Sequence, residues 1–231
     1  MKVMSIQVTS TGNLSKKQMH KKTLKMTPMM ILKRGDYLYH FSFWVYGLYH
    51  DMIIAGRSLN GTILNDSESA YPVQSISYMY LVEFVKNVKF EPNDVFVDVG
   101  CAWGRLIGYL LKKTDISKFY GVELNEKIAS KAKKHFKNKS RVEIISGDIL
   151  ENIPTDATVY YLFNPFSADV LDKFLTLLEE KIDHSVKIFY LYPTCSRVFE
   201  KHPAWKMTET VELSPKRMGK LTMFVYHNEG F

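Results

Sequence analysis

Cysteine is scarce in this chain, with only Cys101 and Cys195 among 231 residues, far apart and in no metal-ligand spacing. That excludes a disulfide framework and a zinc site, and it makes a reducing compartment the expectation. Long apolar runs are missing as well. The most membrane-like stretch, Phe41 to Ala55, includes His50 and Asp51 and falls short of the roughly 20 residues that a spanning helix needs. It reads as an aromatic helix packing on the core, with an interfacial helix as the alternative because Trp44, Tyr46 and Tyr49 lie within it. No apolar segment with a small-residue cleavage site follows the early lysines, and there are no internal repeats. The expectation is a cytoplasmic protein, with a peripheral membrane location left open.

Acidic residues are absent from residues 1–35, which hold eight lysines or arginines. The formal net charge of +7 therefore belongs to this basic, Met-rich segment, since the rest carries 23 basic against 24 acidic side chains. Such a run is either a solvated, flexible stretch or an attachment point for an anionic surface, whether lipid, nucleic acid or glycan. The sequence does not choose among these, nor does it set an oligomeric state. The length suits one α/β domain with an accessory segment rather than two full domains. Residues 1–35 read as the basic leader, 36–90 as a helical extension covering the site described next, and 91–231 as the core.

Within the core, short apolar strands alternate with helical patterns. Strands are expected at Val95–Val99, Phe119–Glu123, Val142–Ile145, Thr158–Phe163 and Lys187–Tyr192. Helices are expected at Leu106–Lys113, Glu126–Phe136 and Ala168–Lys181, with another over Ile76–Val88. This alternation predicts a mostly parallel sheet with helices on both faces. Two extended runs, Met207–Leu213 and Leu221–His227, flank a Ser-Pro-Lys-Arg-Met-Gly turn and predict a C-terminal antiparallel hairpin.

The predicted carboxyl ends of the first four strands carry polar residues: Asp98, Glu123, Asp148 and Asn164. Ligands of open parallel sheets bind beyond those ends. The loop Gly100-Cys101-Ala102-Trp103-Gly104 joins the first strand to its helix, and Glu123 follows Gly104 by 19 residues, where an acid can accept both hydroxyls of an adenosine ribose. The loop lacks the G-x-G-x-x-G pattern that brings a helix N-terminus onto a pyrophosphate, so a cofactor without phosphates fits better.

These residues resemble the class I S-adenosylmethionine-dependent methyltransferases. Asp98, Gly100, Ala102 and Gly104 match the family's acid-x-Gly-x-Gly-x-Gly loop with alanine in the middle position, Glu123 matches its ribose-binding acid, and Gly147-Asp148-Ile149 matches the segment that faces adenine. The resemblance implies a Rossmann-like sheet, S-adenosyl-L-methionine as cofactor, and cofactor contacts from Cys101, Trp103 and Leu124 as well. Gly104-Arg105, Gly121-Val122-Glu123 and Phe163-Asn164-Pro165-Phe166 together are similar to a little-characterised bacterial group of small members.

Asn164, Pro165 and Phe166 resemble the Asn-Pro-Pro-aromatic motif of amino-methylating members, less one proline, which leaves the accepting atom undecided between an amine and other acceptors. The resemblance also makes Tyr71 and Gln74 cofactor contacts, folding over the site from the helical extension. Arg105 either bridges across the sheet or meets the methionine carboxylate. Trp103 is expected to cover the methionine end or the cavity mouth, and Tyr192-Pro193-Thr194 to sit at its rim. Candidate bases are Asp148, Asp169 and His202, the last read as a surface-loop histidine. No metal is expected. The methyl acceptor is open, a small molecule, a glycan precursor or a protein side chain, with an amine slightly favoured; the alternatives are a nucleic-acid methyltransferase or a non-catalytic S-adenosylmethionine-binding scaffold.

Overall fold

Strands buried on both faces need apolar residues at nearly every position, and such segments form the centre of the parallel part of the sheet, with a more polar strand at its edge. The computed structural model describes residues 34–56, 58–59, 62–63, 73–213 and 220–226. Its elements run α1 (Arg34–Ala55), β1 (Thr62–Ile63), β2 (Val73–Gln74), α2 (Tyr78–Asn87), β3 (Val95–Val99), α3 (Arg105–Lys113), β4 (Lys118–Glu123), α4 (Glu126–Phe136) and β5 (Val142–Ser146). Then follow β6 (Val159–Phe163), α5 (Ala168–Lys181), β7 (Val186–Leu191), a 3₁₀ helix (Ser196–Lys201), β8 (Trp205–Glu212) and β9 (Lys220–Tyr226). Contacts divide the chain into Met1–Ser42 and Phe43–Phe231; of the first unit only the opening of α1 is described.

The main sheet has the order β5-β4-β3-β6-β7-β9-β8. Strands β3 to β7 are parallel, while β9 pairs antiparallel with both β7 and β8. The expected core elements are thus present, and the C-terminal hairpin inserts its second strand next to β7. Alternation along β3 and β6 sorts the core into two layers. Phe96 and Tyr161 join α2, α3 and α4 on one face, while Val97, Val99, Tyr160 and Leu162 meet α5 and the 3₁₀ helix on the other. The chain moves outward from β3 to β5 and then crosses back to β6. That reversal opens a crevice at the carboxyl ends of β3 and β6.

Local chemistry sets the helix starts. Ser77 caps α2, accepting a hydrogen bond from the Met79 amide, so the helix begins two residues after the Ile76 predicted from periodicity. Asn125 caps α4 through the Ile128 amide.

Helix α1 departs from expectation. It extends over 22 residues rather than the 15 of the apolar stretch, and only one face of its Phe43–Ala55 part packs. A Cβ on Gly47 would lie 3.1 Å from the Tyr78 ring, and Ile54 sits where a side chain on Gly108 would be, so both glycines permit close helix packing. The other face is exposed, so the stretch packs on the core as expected along one side only. No described helix is long and apolar enough to cross a membrane.

Candidate active site

The β3–α3 loop is built by left-handed backbone at three positions: Gly100 (φ 78°), Ala102 (φ 49°) and Gly104 (φ 81°). Ala102 adopts a conformation that glycine takes freely and alanine only at a cost of about 1–3 kcal/mol. Hydrogen bonds hold it there. The Gly100 and Cys101 amides donate to the Val122 carbonyl at 2.8 and 3.1 Å, and the Ala102 amide donates to Glu123 Oε2 at 2.9 Å. The Asn125 amide donates to Glu123 Oε1 at 2.8 Å. One carboxylate therefore anchors both the β3 loop and the α4 cap.

A cavity of about 280 Å³ opens beyond these strand ends, close to the lower end of the range for small-molecule sites, about 300–1,000 Å³. Asp98, Gly100, Cys101, Ala102, Glu123 and Leu124 line it from β3 and β4. Gly147, Asp148 and Ile149 line it after β5, and Asn164, Pro165 and Phe166 after β6. The topology thus brings together all four polar strand-end residues.

Trp103 and Gly104 do not line the cavity. The chain turns at Ala102, which directs the next two residues toward α4. The Trp103 carbonyl lies 3.4 Å from His135 Nδ1, and a Cβ on Gly104 would fall 2.4 Å from the Phe136 ring. Gly104 serves the packing of α3 on α4, and the Trp103 backbone faces the same helix. Tyr71 lies outside the described residues. Gln74 pairs with Thr62 in β2, immediately before Ser75 and Ile76, which do line the cavity.

Arg105 forms a salt bridge, but with the N-terminal helix rather than across the sheet. Its Nη2 and Nε meet Asp51 of α1 at 2.6 and 3.0 Å, and its Nη1 donates to the Ile76 carbonyl at 2.9 Å. Asp51 also accepts from the Leu59 amide and the Tyr78 hydroxyl, each at 2.9 Å. The guanidinium borders the cavity, but its charge is already matched. Of the candidate bases only Asp148 reaches the cavity, with Oδ1 accepting from the Leu150 amide. Asp169 is exposed on the first turn of α5. His202 is buried rather than on a surface loop, with Nδ1 3.0 Å from Glu179 and Nε2 3.5 Å from Asp172.

Asn164 has a left-handed backbone (φ 45°), and its Oδ1 accepts from Tyr190 Oη at 3.0 Å and Thr194 Oγ1 at 2.5 Å. Those two bonds use both lone pairs of the carboxamide oxygen. The arrangement therefore does not single out a nitrogen acceptor. Phe166 packs on Phe174 of α5. Tyr192 stacks on Phe163 behind the cavity wall and shares a 2.8 Å hydrogen bond with Tyr80, so it supports the rim rather than forming it.

The dominant electrostatic feature is a pair of acids, neither of them ion-paired among the described residues. Asp98 and Glu123 are both buried, and burial together with Glu123 pushes the Asp98 carboxyl up to about 8. Burial also raises Glu123, against the two amides that hold its ionised form. Burial and the same two carboxylates raise the Cys101 thiol, which keeps it protonated. Asp98 binds its proton more tightly folded than unfolded, so its contribution to stability is greatest below about pH 4 and falls as pH rises toward 8. Asp98→Asn removes that loss. Its thermal midpoint relative to the parent is expected to climb between pH 5 and 8, and parallel curves over that range would contradict this electrostatic assignment.

Tyr161 is a cavity residue that sequence reasoning missed. It pairs in register with Asp98 on the neighbouring strand, lines the cavity, and its buried hydroxyl has no hydrogen-bond partner among the described residues. Only the β3–β6 register, invisible in the sequence, places it there. Burial without a partner costs about 1–3 kcal/mol, so Tyr161→Phe is expected to leave the unliganded protein as stable or slightly more so. Binding of a polar ligand that reaches the hydroxyl should weaken several-fold, as titration calorimetry can measure. Among the described residues, no group of three or more His, Cys, Asp or Glu is placed to hold a metal ion.

Residues 96–180 match the model of a family described as a methyltransferase domain. No curated protein matches the chain in sequence. Among solved structures, the N,N-8-amino-8-demethyl-D-riboflavin dimethyltransferase RosA from Streptomyces davawensis is 13% identical with a TM-score of 0.54, over 65% of this chain and 54% of that one. The pyocyanin biosynthetic protein PhzM is 16% identical with a TM-score of 0.52, over 65% and 55%. The mitomycin 7-O-methyltransferase MmcR is 15% identical with a TM-score of 0.50, over the same shares. This chain spans little more than half the length of each, and at these identities the likeness is one of fold. Residues 96–180 are thus similar to a methyltransferase domain, in a chain whose sheet has the Rossmann-like fold of these solved structures.

Proposed function

We propose that the protein transfers the methyl group of S-adenosyl-L-methionine to an acceptor that enters the cavity beside Asn164. The observation that carries this reading is the pair of buried acids, Asp98 and Glu123, in a cavity where Arg105, the lining cation among the described residues, is committed to Asp51. The Glu123 carboxylate, held by two amides, disfavours a pyrophosphate, and Asp98, which burial keeps protonated in the unliganded site, ionises against a bound cation; the pair suits a ligand with positive charge and vicinal hydroxyls, which are the features of S-adenosyl-L-methionine. The residues present therefore fit this cofactor and disfavour a dinucleotide.

Glu123, held rigid by two amides, would accept the ribose hydroxyls. Asp98 would face the cationic methionyl end, and Leu124 and Ile149 would offer apolar contact to the adenine, with Asp148 available to its amino group. When bound, the cofactor supplies an electrophilic methyl on a sulfonium whose leaving group is a neutral thioether. The chain's own contribution is to orient the acceptor and exclude water, and orientation supplies much of the barrier reduction in a displacement. The acceptor class includes small molecules, glycan precursors and protein side chains.

Calorimetry tests the reading directly. S-adenosyl-L-methionine and S-adenosyl-L-homocysteine are expected to bind the parent, and Asp98→Ala should abolish measurable binding. Tight binding of NADH with none of either sulfur compound would overturn it.

A further inference from the structure

The exposed side of α1 carries no charged residue from Trp44 to Ile53. Trp44, Val45, Leu48, Tyr49, Met52 and Ile53 are 39–62% exposed, and their spacing places them on one face of the helix. Asp51 and His50 lie on the opposite face, where Asp51 is buried and His50 packs between the Tyr46 and Tyr78 rings. A surface helix that meets only water is polar on its outer face, and a contiguous apolar patch of this kind marks an interaction site.

The apolar face alone would suit a second copy of the chain as well as a lipid surface. Charge decides between them. The 35 residues at the start of the sequence hold eight cations and no acid, and an unbalanced basic run beside an apolar helix is attracted to anionic headgroups. Trp and Tyr, both present on this face, are the side chains enriched where acyl chains meet headgroups. We propose that α1 docks the protein on an anionic bilayer, laying Trp44, Leu48, Tyr49 and Met52 into the interface while residues 1–35 supply electrostatic attraction. This inference is independent of the cofactor assignment.

Flotation of the full chain with vesicles tests it. The parent is expected to float with vesicles of phosphatidylcholine mixed with phosphatidylserine, less with phosphatidylcholine alone, and less as salt rises. The triple variant Trp44→Ser, Leu48→Ser, Met52→Ser should partition at least about tenfold more weakly with an unchanged thermal midpoint. A second variant, with Lys16, Lys17, Lys21 and Lys22 changed to Gln, leaves α1 intact and should lose the preference for anionic vesicles. The proposal is overturned if the parent does not float, if the triple variant floats as well as the parent, or if neutral and anionic vesicles are bound equally. A concentration-dependent dimer that the triple variant abolishes, without vesicle binding, would assign the face to a second copy instead.

Discussion

Replacing Asp51 by alanine is expected to destabilise the protein by about 3–5 kcal/mol, the usual cost of stranding one partner of a buried ion pair. Asp51 is fully buried and Arg105 nearly so, and their contact is bidentate at 2.6 and 3.0 Å. Without the carboxylate, the guanidinium keeps only the Ile76 carbonyl and the face of the Tyr78 ring, 5.1 Å from its centroid, while the Leu59 amide and the Tyr78 hydroxyl also lose their acceptor. For a chain of this size each kcal/mol moves the thermal midpoint by about 2–4 °C, so a fall of roughly 6–20 °C should appear in a melting experiment. Ligand affinity should fall too, because Ile76 and Ser75 form part of the cavity wall and Ser75 is tied to the Leu59 carbonyl. Two controls sharpen the test. Tyr78→Phe removes a single bond to a charged group and should cost about 1.5–3 kcal/mol, and the double replacement Asp51→Leu with Arg105→Met should regain much of the stability lost by Asp51→Ala. A midpoint for Asp51→Ala within a degree or two of the parent would show that the pair is not shielded from water.

Glu123→Ala is expected to lower the affinity for S-adenosyl-L-homocysteine on the order of 100-fold or more. Two hydroxyl bonds to a carboxylate are worth about 1.5–3 kcal/mol each, and each 1.4 kcal/mol is tenfold in binding. The loss is compounded within the protein, since the Ala102 and Asn125 amides both donate to this carboxylate and would lose their acceptor, the first of them fully buried. Glu123→Gln separates these effects. It keeps one oxygen for one amide but sets an NH₂ group against the other, so part of the structural loss remains. Calorimetric titration alongside melting curves distinguishes the two contributions. Alanine binding as tightly as the parent would remove Glu123 from the cofactor site.

Much of the fold is legible locally. Apolar runs such as Val95–Val99 and Val159–Phe163 can only be buried strands, and the helix over Glu126–Phe136 follows from its Asn125 cap and the spacing of Ile128, Ala132 and Phe136. The polar strand ends are legible too, because strand direction sends Asp98, Glu123, Asp148 and Asn164 to the same edge once the strands are parallel. Trp103 and Gly104 show where this reading stops. Adjacent to cavity residues in sequence, they leave the cavity because a left-handed Ala102 redirects the chain. Arg105 is similar. Its partner, Asp51, lies 54 positions away, and no periodicity links the two.

The sequence by itself determined the α/β alternation, the lack of a G-x-G-x-x-G pattern in the β3–α3 loop and the uneven charge of residues 1–35, because each depends on residues close together in the chain. Only the tertiary structure decided that Tyr161 faces the cavity beside Asp98, that both lone pairs of the Asn164 carboxamide oxygen are engaged, and that an apolar face of α1 is solvent-exposed. Those outcomes depend on strand register and on which helix packs where, and these are set by contacts between residues far apart in the chain that local pattern does not encode.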